Sequence, residues 1–265
     1  MMRLDVRNRA FTVSMALVAV LYPVSIAVLI ACCFVYPRDV SPWLLWSEPA
    51  LRHALMLSLV TSILSALIAL FLAIPSGYLL SRYRVPGWRV LDLLFYLPIA
   101  LPPLVMGVAL LIFFQTGPGR FIQRHLCEFT FSVPGIVLAQ TIMGVAFATR
   151  ICKLAFDNVS PKLPGVARTL GATRWQAFVR VELAEARSGL VEALVLAWTI
   201  AFGAFGPIAL FSGITRMRTE ILSSSVFLEF SVGNLDRALV VSLWMVAIAG
   251  TALAIVRGRG KRPLW

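Results

Sequence analysis

Six long apolar runs, separated by short polar stretches, dominate the chain. They cover residues 11–35, 54–80, 91–114, 133–155, 190–211 and 238–256. Each reaches or approaches the roughly 20 residues that a helix needs to cross the hydrocarbon core. The runs are unbroken. A membrane strand would alternate apolar and polar positions over about ten residues, so barrel strands do not fit. Within lipid, backbone groups must satisfy one another, and a helix does this inside one segment. The pattern predicts an all-α integral membrane protein with about six transmembrane helices, in a single membrane domain over residues 1–265. The first run follows Arg3, Arg7 and Arg9, as a signal peptide would. Its length exceeds the roughly 7–15 residues of a signal core, and it reads as an anchor.

Composition agrees. Hydrophobic residues make up 60% of the chain and charged residues 14%, against about 25% charged in soluble domains. The net charge of +12 would suggest nucleic acid in a soluble protein. Its distribution says otherwise. Taking alternate polar segments, one set holds 17 of the 24 basic residues, from Arg3 through the 150–187 stretch to Arg262, and the other holds seven. The acidic residues divide evenly. The positive-inside rule then places both termini in the cytoplasm, and nucleic-acid binding is set aside. In the outer segment 36–52, Trp43 and Trp46 read equally as interfacial anchors or as loop packing. Cys32, Cys33, Cys127 and Cys152 show neither metal spacing nor a disulfide framework, and read as small packing residues.

The longest polar interruption is residues 156–189, between the fourth and fifth runs. Pro161 and Pro164 stop the preceding helix from continuing. Residues 166–170 can form a short helix that Gly171 ends, because glycine accepts a left-handed closing residue. Thr173 stands three before Gln176, the spacing of a capping box, so a second helix is expected over 174–185. Trp175, Phe178 and then Glu182 or Leu183 fall on one side of it. That face serves either as packing beneath the membrane domain or as a ridge that docks into a partner's groove.

Within the runs, Pro98, Pro102 and Pro103 interrupt the third. Each removes a backbone donor and bends or opens the helix. Such breaks either serve packing or line a passage. Gly203 and Gly206 in the fifth run permit close helix approach or a backbone-lined path, with Phe205 between them as a gate or a lipid-facing ring. These six residues are the candidate translocation path. Ionisable residues are scarce inside the runs: Glu192 and Arg150 sit near inner ends. That argues against a proton-coupled pump. His53 and His125 lie far apart and outside the runs, and no nucleophile elbow or phosphate loop occurs. An intramembrane enzyme is therefore disfavoured, no cofactor is expected in this chain, and ATP-driven transport requires a separate ATPase.

The segment around Gly171 resembles the cytoplasmic signature loop of permease subunits in binding-protein-dependent ABC importers. That loop carries Glu-Ala-Ala, a glycine four residues on and a terminal Leu-Pro. Here the positions read Gly165-Val166-Ala167, Gly171 and Leu183-Ala184, so the Glu and the Pro are missing while 168–172 fit. The likeness extends from about residue 57 to the C-terminus. Residues 75–82 (PSGYLLSR), 85–87, 97–107 (LPIALPPLVMG) and 129–132 (FTFS) are similar to molybdate, tungstate and sulfate permeases. Residues 201–206 resemble that subgroup's Leu-Gly-Glu-Phe-Gly, with Ala204 in place of the acid. The resemblance implies a type I ABC importer permease fold in a bacterial or archaeal cytoplasmic membrane. It implies a coupling helix at Gly165, Val166, Ala167, Arg168, Leu170, Gly171, Ala172, Trp175 and Phe178. Implied partners are two ATPase subunits that bind ATP and Mg, a second permease chain and an external substrate-binding protein. The implied cargo is an oxyanion such as molybdate, with polyamine, ferric iron, thiamine or phosphonate as alternatives. A secondary transporter or channel without an ATPase is the rival from another class.

Overall fold

The computed structural model describes residues 6–35, 47–83 and 87–259. Trp43, Trp46, Val85, Pro86 and, of the basic residues, Arg3, Arg38, Arg84, Lys261 and Arg262 lie outside the described residues. The elements are α1 (Val6–Val35), α2 (Pro49–Arg82), α3 (Trp88–Ala100), α4 (Pro103–Gln115), α5 (Gly117–His125), α6 (Val133–Asp157), α7 (Lys162–Thr169), α8 (Arg174–Gly203), α9 (Gly206–Phe211), α10 (Leu222–Ser231) and α11 (Leu235–Arg259). No strand occurs among the described residues. Five helices are long and apolar enough to span a membrane, and α3 with α4 counts as a sixth if the bent pair is one span.

The centre is a bundle of α2, α6 and α8. Its facing surfaces are built from small residues: Ala66, Ala69 and Ala73 of α2, Ala148 and Cys152 of α6, and Ala193 and Ala197 of α8 are all buried. Lipid supplies no hydrophobic drive between helices, so close backbone approach and interhelical hydrogen bonds must hold such a bundle. α2 and α6 approach closely at Gly77. A Cβ on Gly77 would lie 2.6 Å from the Cys152 Cβ and 2.8 Å from the Lys153 amide nitrogen. The hydrogen bonds lie deeper. Gln140, fully buried, donates to the Ala201 carbonyl at 2.9 Å and accepts from the Ser65 hydroxyl at 3.0 Å. Ser58 accepts from the Leu222 amide at 2.7 Å, tying α2 to α10.

Helix boundaries depart from the apolar runs where chemistry other than hydropathy decides. The second span reaches back to Pro49, a proline in the first helical turn where its missing N–H is harmless. This places His53 inside α2, not outside a span as expected. The third run is two helices meeting at 112°, so the prolines do more than kink it: Leu101 and Pro102 are extended and α4 restarts at Pro103. The fifth run is displaced. The helix expected over 174–185 is no separate element: it continues into the span, α8 ends at Gly203, and residues 206–211 form their own short helix. Among the four cysteines, Cys152 alone is buried; Cys32 and Cys127 are exposed and Cys33 is half-buried, so the packing reading holds only for Cys152.

Candidate functional site

The elbow, residues 158–177, follows from its own sequence. α6 ends at Asp157, and α7 begins after Pro161. Pro164 sits in the first turn of α7, where a helix tolerates it. Gly171 has φ +91°, a conformation that side chains strongly disfavour, and the amides of Leu170, Gly171 and Ala172 close α7 onto the carbonyls of Val166, Arg168 and Ala167. Thr173 then caps α8: its hydroxyl accepts from the Gln176 amide at 3.2 Å while the Gln176 side chain accepts from the Thr173 amide at 2.9 Å. Both signals expected from the sequence are present.

The elbow presents a bare apolar ridge. Leu170 is 84% exposed, Trp175 71%, Val166 57% and Leu163 41%. Arg168, Gly165 and Gly171 are exposed around it, and Ala167 and Ala172 are half-buried. Phe178 lies inside the ridge. Its ring is 5.8 Å from that of Trp175 and 4.7 Å from Tyr78 of α2. The two readings of this aromatic face therefore apply to different residues: Phe178 packs under the bundle, and Trp175 projects.

The second candidate region is deeper. The break at Leu101–Pro102 and the break between α8 and α9 are brought together. A Cβ on Gly206 would be 3.3 Å from the Pro103 Cβ and 3.2 Å from the Leu104 amide nitrogen. Pro102 and Pro103 are exposed and Pro98 is half-buried. Gly203 is exposed with open space around its Cβ position. Phe205 stacks at 5.1 Å on Phe227 of α10, so its ring meets protein on that side. Ala204 is half-buried and its carbonyl accepts from Ser223 at 2.7 Å. The residues gathered here offer a proton donor or acceptor only through backbone and hydroxyl groups.

Sequence reasoning missed two ionic clusters. Next to the elbow, Glu182 is 3% exposed and pairs with Arg82 at 3.2 Å. In α10, Glu229 pairs with Arg216 and accepts from Asn234 at 3.2 Å. Beside it Glu220, 1% exposed, accepts from Ser225 at 2.8 Å. Burial pushes the Glu220 carboxyl above its ordinary range, against the pull of Ser225 and Arg216. No periodicity foretells the first pairing, because it joins residues far apart in the chain.

The profile for binding-protein-dependent transport system inner membrane components matches residues 67–258, which include both helix breaks and the whole elbow. The chain belongs to that family. It is 34% identical over 206 residues to a probable molybdenum ABC transporter permease protein of Haloferax volcanii, covering 78% of this chain and 74% of that one. It is 35% identical over 180 residues to the molybdenum transport system permease protein ModB of Escherichia coli, covering 66% and 78%. Against the sulfate transport system permease protein CysT of Escherichia coli it is 32% identical over 182 residues, and the chain spans only 64% of that relative's length. The resemblance read from residues 75–82 and 97–107 is thereby borne out. In three dimensions the permease is similar to a bacterial ABC transporter involved in import of the acidic polysaccharide alginate, with TM-score 0.72, 17% identity, and coverage of 97% of this chain and 100% of that one. It is also similar to the MetNI methionine ABC transporter, with TM-score 0.59, 18% identity, and coverage of 77% and 94%. The fold is that of type I ABC importer permeases, in a multi-pass inner-membrane protein.

Proposed function

We propose that this chain is the transmembrane permease subunit of an ATP-driven importer, and that its cargo is an oxyanion such as molybdate, delivered by an external binding protein. The observation that carries the reading is the apolar ridge of Leu163, Val166, Leu170 and Trp175 on a capped, preformed elbow. A tryptophan and a leucine facing water are costly, about 1.5–3 kcal/mol for a large apolar side chain kept exposed. A groove on a partner ATPase removes that cost. Binding and hydrolysis of ATP with Mg belong to that separate subunit. Two permease chains, identical or homologous, form the passage at the paired helix breaks. Both termini face the cytoplasm, on the strength of the basic-residue bias.

The cargo reading draws on the molybdenum and sulfate permeases named above, transferred from their names to this chain. The deep region fits a weakly bound anion: hydroxyl and backbone groups without fixed charge let an ion pass without trapping it. Selection then falls to the binding protein.

The test is purification of tagged permease co-expressed with its neighbouring ATPase in mild detergent, followed by uptake into proteoliposomes. Retention of the ATPase, its loss on Trp175→Ala, and ATP-dependent uptake of molybdate are expected. Full uptake without any ATPase would refute the reading in favour of a secondary transporter. Calorimetry on the cognate binding protein against oxyanions, polyamines, ferric iron, thiamine and phosphonates decides the cargo.

A further inference from the structure

The junction between elbow and span holds an unusual piece of helix. Residues Phe178–Glu182 form a π-helical turn, in which the Leu183 amide reaches back five residues to the Phe178 carbonyl. A π turn fits one extra residue into the helix, and each residue of an α-helix advances it by about 100°. The turn thus resets the facing of the elbow relative to the membrane portion of α8. It also delivers Glu182 inward.

Glu182 is surrounded by partners from elsewhere. One carboxylate oxygen lies 3.2 Å from Arg82 Nε, and the other accepts from the Tyr78 hydroxyl at 2.9 Å. Tyr78 and Arg82 are four residues apart on the last turns of α2. Arg82 also donates, through Nη2, to the Val159 carbonyl at 2.9 Å. Val159 is buried, immediately beyond α6 and at the entrance to the elbow. One guanidinium therefore grips the segment entering the elbow and, through Glu182, the helix leaving it.

Among the described residues, Glu182 makes the only side-chain hydrogen bond and ion pair that join residues 162–189 to α2. Leu183 and Ala186 add aliphatic packing, and rings add a further link. Trp175 leans on Phe178, Phe178 on Tyr78, and Tyr78 on Phe156 at 5.3 Å. A path of contact thus runs from the exposed ridge to α2 and α6. At the same level Gly77 brings α2 against α6 without room for a side chain.

A buried ion pair is a poor device for stability alone, since apolar residues of the same volume often do as well. It is a good device for fixing geometry, because bonds of two kinds must be met at once. We propose that the π turn and the Glu182–Arg82–Tyr78 cluster form the joint through which displacement of the elbow is delivered to the spans, with Glu182 as a positioning residue for transport. This rests on the importer reading above.

The experiment uses the permease assembled with its ATPase in proteoliposomes supplied with loaded binding protein. Glu182→Gln keeps the size and a hydrogen-bonding group but removes the charge; Tyr78→Phe removes one bond and keeps the ring. The readouts are retention of the ATPase, the rate of ATP hydrolysis, and solute imported per ATP. For Glu182→Gln we expect retention and hydrolysis close to wild type and a fall in solute per ATP in the range of roughly 5- to 150-fold that a coupling free energy spans. Tyr78→Phe should fall in the same ratio by a smaller factor. Unchanged solute per ATP in both variants overturns the joint, as does loss of the complex in step with a lowered melting temperature, which is what a merely structural role gives. If Glu182→Gln does not fold, Tyr78→Phe decides alone by the same criteria. Wild-type protein lacking ATP-dependent uptake overturns the importer reading and the joint together, whereas normal wild-type uptake with unaltered variants sinks only the joint.

Discussion

Gly171 offers a substitution in which backbone and bulk can be separated. Its φ of +91° is closed to ordinary side chains, yet nothing lies within 4 Å of where a Cβ would stand. Steric collision with a neighbour is thus excluded, and any effect of Gly171→Ala comes from the backbone. Holding a non-glycine residue in left-handed space costs about 1–2 kcal/mol. Asparagine tolerates that region better, and β-branched valine worse. The elbow is exposed and touches the bundle through few side chains, so the strain is relieved by opening the α7–α8 turn and leaves the bundle intact. A strain of about 1–2 kcal/mol lowers the ratio of intact to open elbow by roughly 5- to 30-fold. The apparent affinity for the ATPase falls by up to the same factor, since only the competent fraction binds. The assay is titration of ATPase onto nanodisc-embedded permease carrying Gly, Asn, Ala or Val at position 171, with the melting temperature of each variant alongside. Affinity should fall in the order Gly, Asn, Ala, Val, while the melting temperature barely moves. An order that follows side-chain size, with asparagine worse than alanine, refutes the backbone argument. Equal binding by all four refutes the role of the turn.

Three further outcomes follow from particular contacts. Gly77→Ala and Gly165→Ala should shift stability in opposite directions: both gain about 1 kcal/mol of helix propensity, but the first must displace the Cys152–Lys153 backbone, at about 1–3 kcal/mol, whereas Gly165 has open space; thermal melts in detergent separate them, and equal shifts would contradict the packing. Gln140→Leu should cost about 0.6–1.7 kcal/mol, the range for interhelical hydrogen bonds in membranes, and Ser65→Ala less, because the one Ser65 proton is divided between Gln140 and the Val137 carbonyl at 3.1 Å and Gln140 keeps its bond to Ala201; a larger effect for Ser65→Ala would be inconsistent. Glu220 folds with its carboxyl raised above the ordinary 4.5, so its contribution is complete below that value and is lost as pH climbs through the raised one. Glu220→Gln should therefore gain stability relative to wild type as pH rises toward neutrality, read as melting temperature against pH; a constant offset would show that the carboxyl does not titrate on that path.

Much of this was legible in the chain. Apolar runs mark spans because lipid forbids anything else, so α2 and α6 lie where residues 54–80 and 133–155 placed them, extended by a turn or less at most ends. The elbow was legible too, because Gly171 and the Thr173–Gln176 box act locally and need no tertiary partner. Hydropathy failed at the helix breaks. Residues 206–211 are as apolar as the span before them, and only Gly203 and the Gly206-Pro207 pair mark a second helix. It failed again at residues 174–189, where charged side chains hid a helix continuous with the fifth span. The polar face there is tolerated because it lies at the elbow end of α8, where Arg180 and Arg187 are exposed. Glu182 was visible as one residue on a side of a helix, but its partners Tyr78 and Arg82 lie a hundred or more positions earlier, and no spacing rule joins them.

α1 raises a question of timing. It precedes the bundle in the chain, and its chief neighbour is α11, which follows the bundle. None of its hydrophobic window is buried by the rest of the chain. During synthesis it must wait in the bilayer alone while α2, α6 and α8 emerge and find one another. Its 23-residue apolar stretch permits that wait, since it is long enough to span unaided. The bundle takes shape without it as a template, and its contact with α11 forms only after the bundle helices have emerged.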